Sequence, residues 1–196
     1  MVVEKEASLK TLLEYNFHLN CGLGPGLLVT VSHLSQASQQ ADLVQGKGYP
    51  DLATLRFLRS LITVLASQTP LFGIFDGDPD GLDIYRCYTS GSKVSANDPA
   101  AILPEMKWLG VDIGLFLESP IVMDASIIIT ARDRVRAGNM LSRLRYDQNT
   151  DVDARRRMLQ LMLMLNSKIE IQALDVLPGG VCTWLRDRMV QSYQQL

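Results

Sequence analysis

The chain has 196 residues, which fits one domain with at most a small extension. At 47% hydrophobic residues it can bury a core, which excludes a disordered chain, and a net charge of −2 provides no basic signature for nucleic acid. Cys21, Cys87 and Cys182 are far apart, and with only His18 and His33 available they form no zinc pattern; their odd number favours a reducing compartment.

Met1 to Val3 reads as a core strand ended by Glu4, and Leu9, Leu12, Leu13 and Phe17 then recur at helical spacing. A chain that opens directly on an inner strand is expected to be cut at that edge. No signal peptide is read there, and no apolar run reaches the ~18 residues of a membrane span. Cys21 to Gly26 is a glycine-rich loop, and Leu27 to Val31 is a second strand. A polar Gln/Ser-rich stretch follows, Ser32 to Leu43. Gly46 to Pro50 is a turn, and Asp51 caps a helix through Leu52, Leu55, Leu58, Leu61, Ile62 and Leu65. Lys47 in that turn is no P-loop lysine: Ala41 stands where the first glycine is needed, and Gly48 where Ser or Thr is needed.

Leu71 to Phe75 is apolar without interruption, the pattern of a parallel strand buried on both faces. Asp76, Asp78 and Asp80 follow at every second position. Ligands of open α/β sheets sit at the carboxyl ends of strands. Carboxylates crowded there repel one another unless protons or a cation intervene, and a hard divalent ion such as Mg²⁺ suits them. If the first strand is a neighbour, Glu4 joins Asp76 and Asp78. The same spacing opens an EF-hand loop, but Cys87 occupies its twelfth position, where Glu is required. A plain strand-to-helix turn with aspartates as caps is the bland reading.

A helix is expected from Gly81 to about Tyr88, ended by Gly91, then a loop from Asn97 to Met106 and a short strand from Lys107 to Val111. Ile127 to Thr130 is apolar and leads into a helix through Val135, Met140, Leu141 and Leu144. Gln148 to Asp151 is a break. A long helix with Met158, Leu161, Met162 and Leu165 follows, its methionines read as core filler. Pro178 to Gly180 precedes a last helix with Trp184, Leu185 and Met189. Strands alternating with helices make this an α/β chain with a mainly parallel sheet and a helical C-terminal part from about residue 147 to 196.

Several stretches carry a resemblance: Val2 to Ala7, Gly46 to Asp51 with Ala53 and Thr54, Phe75 to Tyr85 with Gly91 and Ser92, Trp108 to Gly110, Arg132 to Arg134, and Lys168 to Leu174. In this order they resemble the A subunit of topoisomerase VI and its eukaryotic relative, the meiotic transesterase that makes programmed double-strand breaks. The resemblance implies a Toprim domain, a Rossmann-like module, over the whole of 1–196. It implies Mg²⁺, or Mn²⁺ in its place, held by Glu4, Asp76 and Asp78, with Asp80 and Glu6 as lesser candidates. It also implies a nuclear role in DNA recombination on double-stranded DNA, as a homodimer with a B-type subunit of the ATP-hydrolysing type II class. The nucleophilic tyrosine belongs to an N-terminal winged-helix domain that this chain lacks, so the chain alone is expected not to cleave. A degenerate Toprim module that binds DNA or partners without catalysis is the alternative.

Lys47, Arg56, Arg132 and Arg134 are the candidates for DNA-backbone contact, with Arg136, Arg143, Arg145 and Arg155 to Arg157 as further basic residues on helices. Two features depart from the family pattern. Leu55 replaces an arginine, which loses a basic contact or passes it to Arg56. Val31 to Gln45 is inserted after the second strand, either as a retained in-frame intron or as a true loop.

Overall fold

The computed structural model describes residues 1–30, 48–65, 69–93, 95–96, 98–114, 119–144 and 150–194. The Val31 to Gln45 insertion, Lys47 and Arg145 lie outside these residues. Elements run β1 (Val2–Val3), α1 (Glu6–Glu14), α2 (Phe17–Asn20), β2 (Val29–Thr30), α3 (Leu52–Val64), β3 (Phe72–Ile74) and α4 (Pro79–Thr89). A 3₁₀ turn at Pro99–Ala101 precedes β4 (Lys107–Trp108), α5 (Pro120–Asp124), β5 (Ile127–Ile128), α6 (Ala131–Leu144) and α7 (Thr150–Leu165). β6 (Ser167–Lys168), a 3₁₀ segment (Ile171–Val176) and α8 (Gly180–Gln194) complete the order.

The main sheet has the order β2-β1-β3-β4 and is parallel throughout, with Val2 opposite both Val29 and Gly73, and Phe72 opposite Lys107. Parallel strands need crossovers, and the helices between them cover both faces. Alternation along β1 shows this directly. Val3 enters one apolar cluster with Leu9, Leu12, Phe72, Ile74, Leu159, Met162 and Leu185. Val2 enters the other with Leu55, Leu58, Phe75, Ile84, Tyr85 and Tyr88. Gly73 leaves room on that second face: a Cβ there would stand 2.4 Å from the Phe75 ring. Phe75 stacks on Trp108, centroids 5.5 Å apart, and so forms an apolar floor behind Asp76.

A separate antiparallel pair, β5 with β6, is attached to the end of β3. Gly77 and Ile169 exchange backbone hydrogen bonds of 2.8 and 3.1 Å. This attachment carries the Lys168 to Leu174 segment to the carboxyl edge of the main sheet. Met158 and Met162 are core filler, as expected, while Met164 is 81% exposed. Among the described residues, no helix is long and apolar enough to cross a membrane.

Candidate metal centre

β1 and β3 are adjacent and parallel, so their carboxyl ends lie together. The Glu4 amide donates to the Ile74 carbonyl at 3.1 Å, which continues the ladder one residue past the strands. The Asp76 amide donates to Glu4 Oε2 at 3.1 Å. Glu4 and Asp76 are thereby side by side, with Asp78 close enough to raise the Glu4 pKa.

Each aspartate uses one oxygen for local structure. Asp76 Oδ1 accepts from the Ile171 amide at 2.9 Å. Asp78 Oδ1 accepts from the Gly81 amide at 2.8 Å and is the N-cap of α4. The helix starts at Pro79 rather than Gly81, because proline fits the first helical turn, where its missing N–H is no loss. The bland reading of this turn is therefore real for Asp78, yet Asp76 and Asp78 are also only 3% and 8% exposed. Solvated caps do not need such burial.

The second oxygens face ammonium groups. Lys5 Nζ lies 2.6 Å from Asp76 Oδ2 and 3.2 Å from Glu170 Oε2. Lys168 Nζ lies 3.4 Å from Asp78 Oδ2 and 3.2 Å from Asp133 Oδ2. Burial pushes Glu4 up to about 8, helped by the charges of Asp76 and Asp78. Burial also holds Asp76 above the usual carboxylate range, against the pull of Lys5 and the Ile171 amide. Burial opposes the charged forms of Lys5 and Lys168, but their carboxylate neighbours outweigh it and hold both pKa values high.

The remaining sequence candidates lie elsewhere. Glu6 is in the first turn of α1 and forms an i,i+4 pair with Lys10 at 2.9 Å. Asp80 pairs with Arg136 at 2.7 Å. Arg136 also meets Asp83 at 2.9 Å and hydrogen-bonds the Tyr49 hydroxyl, tying the turn before α3 to α4 and α6. Leu55 is fully buried in the core, whereas Arg56 is exposed and pairs with Asp98 at 2.7 Å. Arg132 lies on an open depression of α6 with Val135, Arg136 and Asn139. Arg134 hydrogen-bonds Asn166. Arg155 is 6% exposed, which removes it from the surface residues available to DNA.

Lys5, Asp133, Lys168 and Glu170 were missed as site residues, although all four stand in the stretches that carry the resemblance. Charge alternation in Glu4-Lys5-Glu6 and in Lys168-Ile169-Glu170 was the available signal. Among the described residues, no three His, Cys, Asp or Glu side chains are arranged to hold an ion as they stand. The residue types nevertheless suit a hard cation: Glu4 and Asp76 lie side by side, Asp78 is near enough to act on Glu4, and two lysine ammonium groups stand in for positive charge. Gly48, with φ +99°, packs over Glu4 so closely that a Cβ would come within 3.0 Å of its Cγ, which closes the site from the side of the α3 turn.

Comparison with known proteins agrees with this architecture. Residues 27–181 match the family described as the Toprim domain of the topoisomerase 6 A subunit and Spo11. The chain is 29% identical to the fission yeast (Schizosaccharomyces pombe) meiotic recombination protein rec12 over 193 residues, 98% of this chain and 47% of that protein. It is 34% identical to rice (Oryza sativa) meiotic recombination protein SPO11-1 over 134 residues, 68% of this chain and 34% of that protein. To human meiotic recombination protein SPO11 it is 29% identical over 179 residues, 90% of this chain and 39% of that protein. The chain thus spans about half or less of the length of these relatives. A parallel sheet flanked by helices, an Asp-x-Asp turn at the end of β3, and a family match over most of the residues lead to one conclusion: the chain belongs to the family of Spo11 and the topoisomerase 6 A subunit, and it carries the Toprim domain of that family.

Proposed function

We propose that this chain is the metal-binding half of a type IIB topoisomerase-like DNA transesterase that acts in meiotic double-strand break formation. The placement of Glu4 beside Asp76 at the carboxyl ends of β1 and β3, with Asp78 two residues on and near enough to act on Glu4, carries the reading. A divalent ion there, Mg²⁺ above all, would neutralise charge on a DNA phosphate and orient it for attack by a tyrosine hydroxyl. This chain's own residues supply the frame. Asp76 and Asp78 hold their orientation through the Ile171 and Gly81 amides, and the Asp76 amide holds Glu4. The apolar floor of Phe75, Tyr85 and Trp108 keeps water from one side. Tyr85 donates to the Met106 carbonyl at 3.0 Å and Tyr88 is fully buried, so neither is placed to attack a phosphodiester. The resemblance puts the attacking tyrosine in a winged-helix domain. Its partners would be nuclear double-stranded DNA, a second copy and a B-type subunit that hydrolyses ATP.

The lysines on Asp76 and Asp78 favour a second reading, a metal-free module that binds DNA or partners. One titration separates the two. The double variant Asp76→Asn with Asp78→Asn should lose Mn²⁺ binding, read by electron paramagnetic resonance, and keep its far-ultraviolet circular dichroism. Undiminished Mn²⁺ affinity in that variant rejects the metal reading in favour of the module.

A further inference from the structure

Five carboxylates and two ammonium groups form one network at the edge of the sheet. Two of the carboxylates, Asp133 and Glu170, lie outside the proposed ligand set and touch the ligands only through a lysine. Lys5 bridges Asp76 and Glu170, and Lys168 bridges Asp78 and Asp133. Asp76 Oδ1 and Asp78 Oδ1 are committed to backbone amides. Of the two aspartates, the oxygens left for a cation are therefore the ones the lysines hold. An ion that takes both of these oxygens displaces both ammonium groups, and each is already paired with a second acid to which it can move.

Resting on the metal reading above, we propose that Asp133 and Glu170 are positioning residues that take over Lys168 and Lys5 when a divalent cation occupies Asp76 and Asp78. The handover keeps each ammonium paired, so that no partly buried charge is stranded by metal entry. It also keeps two positive groups beside the metal, where an anionic phosphate would arrive. The supports differ in rigidity. Asp133 is held by a reciprocal capping pair: the Thr130 amide donates to Asp133 Oδ2 at 2.9 Å, and the Asp133 amide donates to Thr130 Oγ1 at 3.1 Å. Lys168 already lies slightly nearer Asp133 than Asp78, whereas Lys5 lies nearer Asp76 than Glu170. Lys5 is thus the tighter competitor of the ion.

The test is a double-mutant cycle on Mn²⁺ affinity, read by electron paramagnetic resonance with the full chain. Lys168→Met should tighten Mn²⁺ binding, because the competitor is gone. Asp133→Asn should weaken it about tenfold, the low end of what outer partners of a metal site contribute, because Asp133 reaches Asp78 only through Lys168. In the Lys168→Met background the Asp133→Asn loss should shrink to under about threefold, since there is no ammonium left to receive. Charge acting only through space would make the two losses equal, which overturns the proposal, as would Lys168→Met weakening the ion. Asp133→Glu keeps both the carboxylate and the cap and should restore binding, which separates handover from a misfolded α6. Mn²⁺ affinity unchanged by Asp76→Asn with Asp78→Asn overturns the metal reading itself, a different result from equal losses in the cycle.

Discussion

Glu4 is held against two other carboxylates, with the Asp76 amide donating to it, and burial keeps its proton on up to about pH 8. In the unfolded chain the same group titrates near its ordinary value of 4.5. Between these two values the native state keeps a proton that the unfolded state has lost. Stability from this group is therefore present below about pH 4.5 and lost as pH rises to about 8. The amine of Met1, lowered by burial to about 6, pushes the other way over part of that range. Comparison with Glu4→Gln removes that contribution, because both proteins share it. Without metal, Glu4→Gln should gain stability relative to the wild type from about pH 4.5 to about pH 8, measured by urea denaturation; a constant difference would place Glu4 in water rather than beside Asp76. The three acids were legible in the sequence because strand ends fix their places: one residue past β1, and two and four past β3. The lysine and acid partners were not, since Lys5 meets Glu170 across 165 residues and Lys168 meets Asp78 across 90. Only the folded chain brings such residues together.

At the scale of elements, the turn from β3 into α4 is the most constrained piece of backbone in the site. Asp78 caps the helix, Pro79 opens it, and Gly81 passes directly under the Asp76 carbonyl. A Cβ at Gly81 would stand 2.3 Å from that oxygen, a backbone atom that cannot swing aside. Gly81→Ala should therefore destabilise the fold by about 1 to 3 kcal/mol, the cost of overpacking, and weaken Mn²⁺ binding by shifting Asp76. Chemical denaturation and the metal titration check both; unchanged stability would mean that the turn relaxes freely. The strands and helices bearing long apolar patterns were readable, down to Asp51, whose carboxylate accepts from the Thr54 amide at 2.7 Å. β5 and β6 were not read as a pair. Each has two residues, too few for a period, and Ile127 and Ile128 are exposed rather than alternating. Ile169, one residue past β6, bridges to Gly77, a long-range backbone contact with no signature in either stretch.

For the molecule as a whole, the centre joins parts of the chain that are far apart in sequence. Glu4 follows the first strand, Asp76 and Asp78 follow the third, and the Ile171 amide on Asp76 comes from the C-terminal part. An ion bound there would tie β1, β3 and the segment after β6 at one point. The unfolded chain offers no such cluster, so binding belongs almost entirely to the native state and adds its free energy to folding. At a free metal concentration of about a hundred times Kd the gain is ~2.7 kcal/mol. For a domain of this size that moves Tm up by roughly 5 to 10 °C. Thermal unfolding with increasing Mg²⁺ or Mn²⁺ should show this rise in the wild type and no rise in Asp76→Asn with Asp78→Asn. Ca²⁺ is larger and takes more ligands at longer distances, so it should stabilise less at equal concentration. An equal rise in wild type and double variant would place the ion elsewhere on the chain, and the edge of the sheet would then be held by its lysines alone.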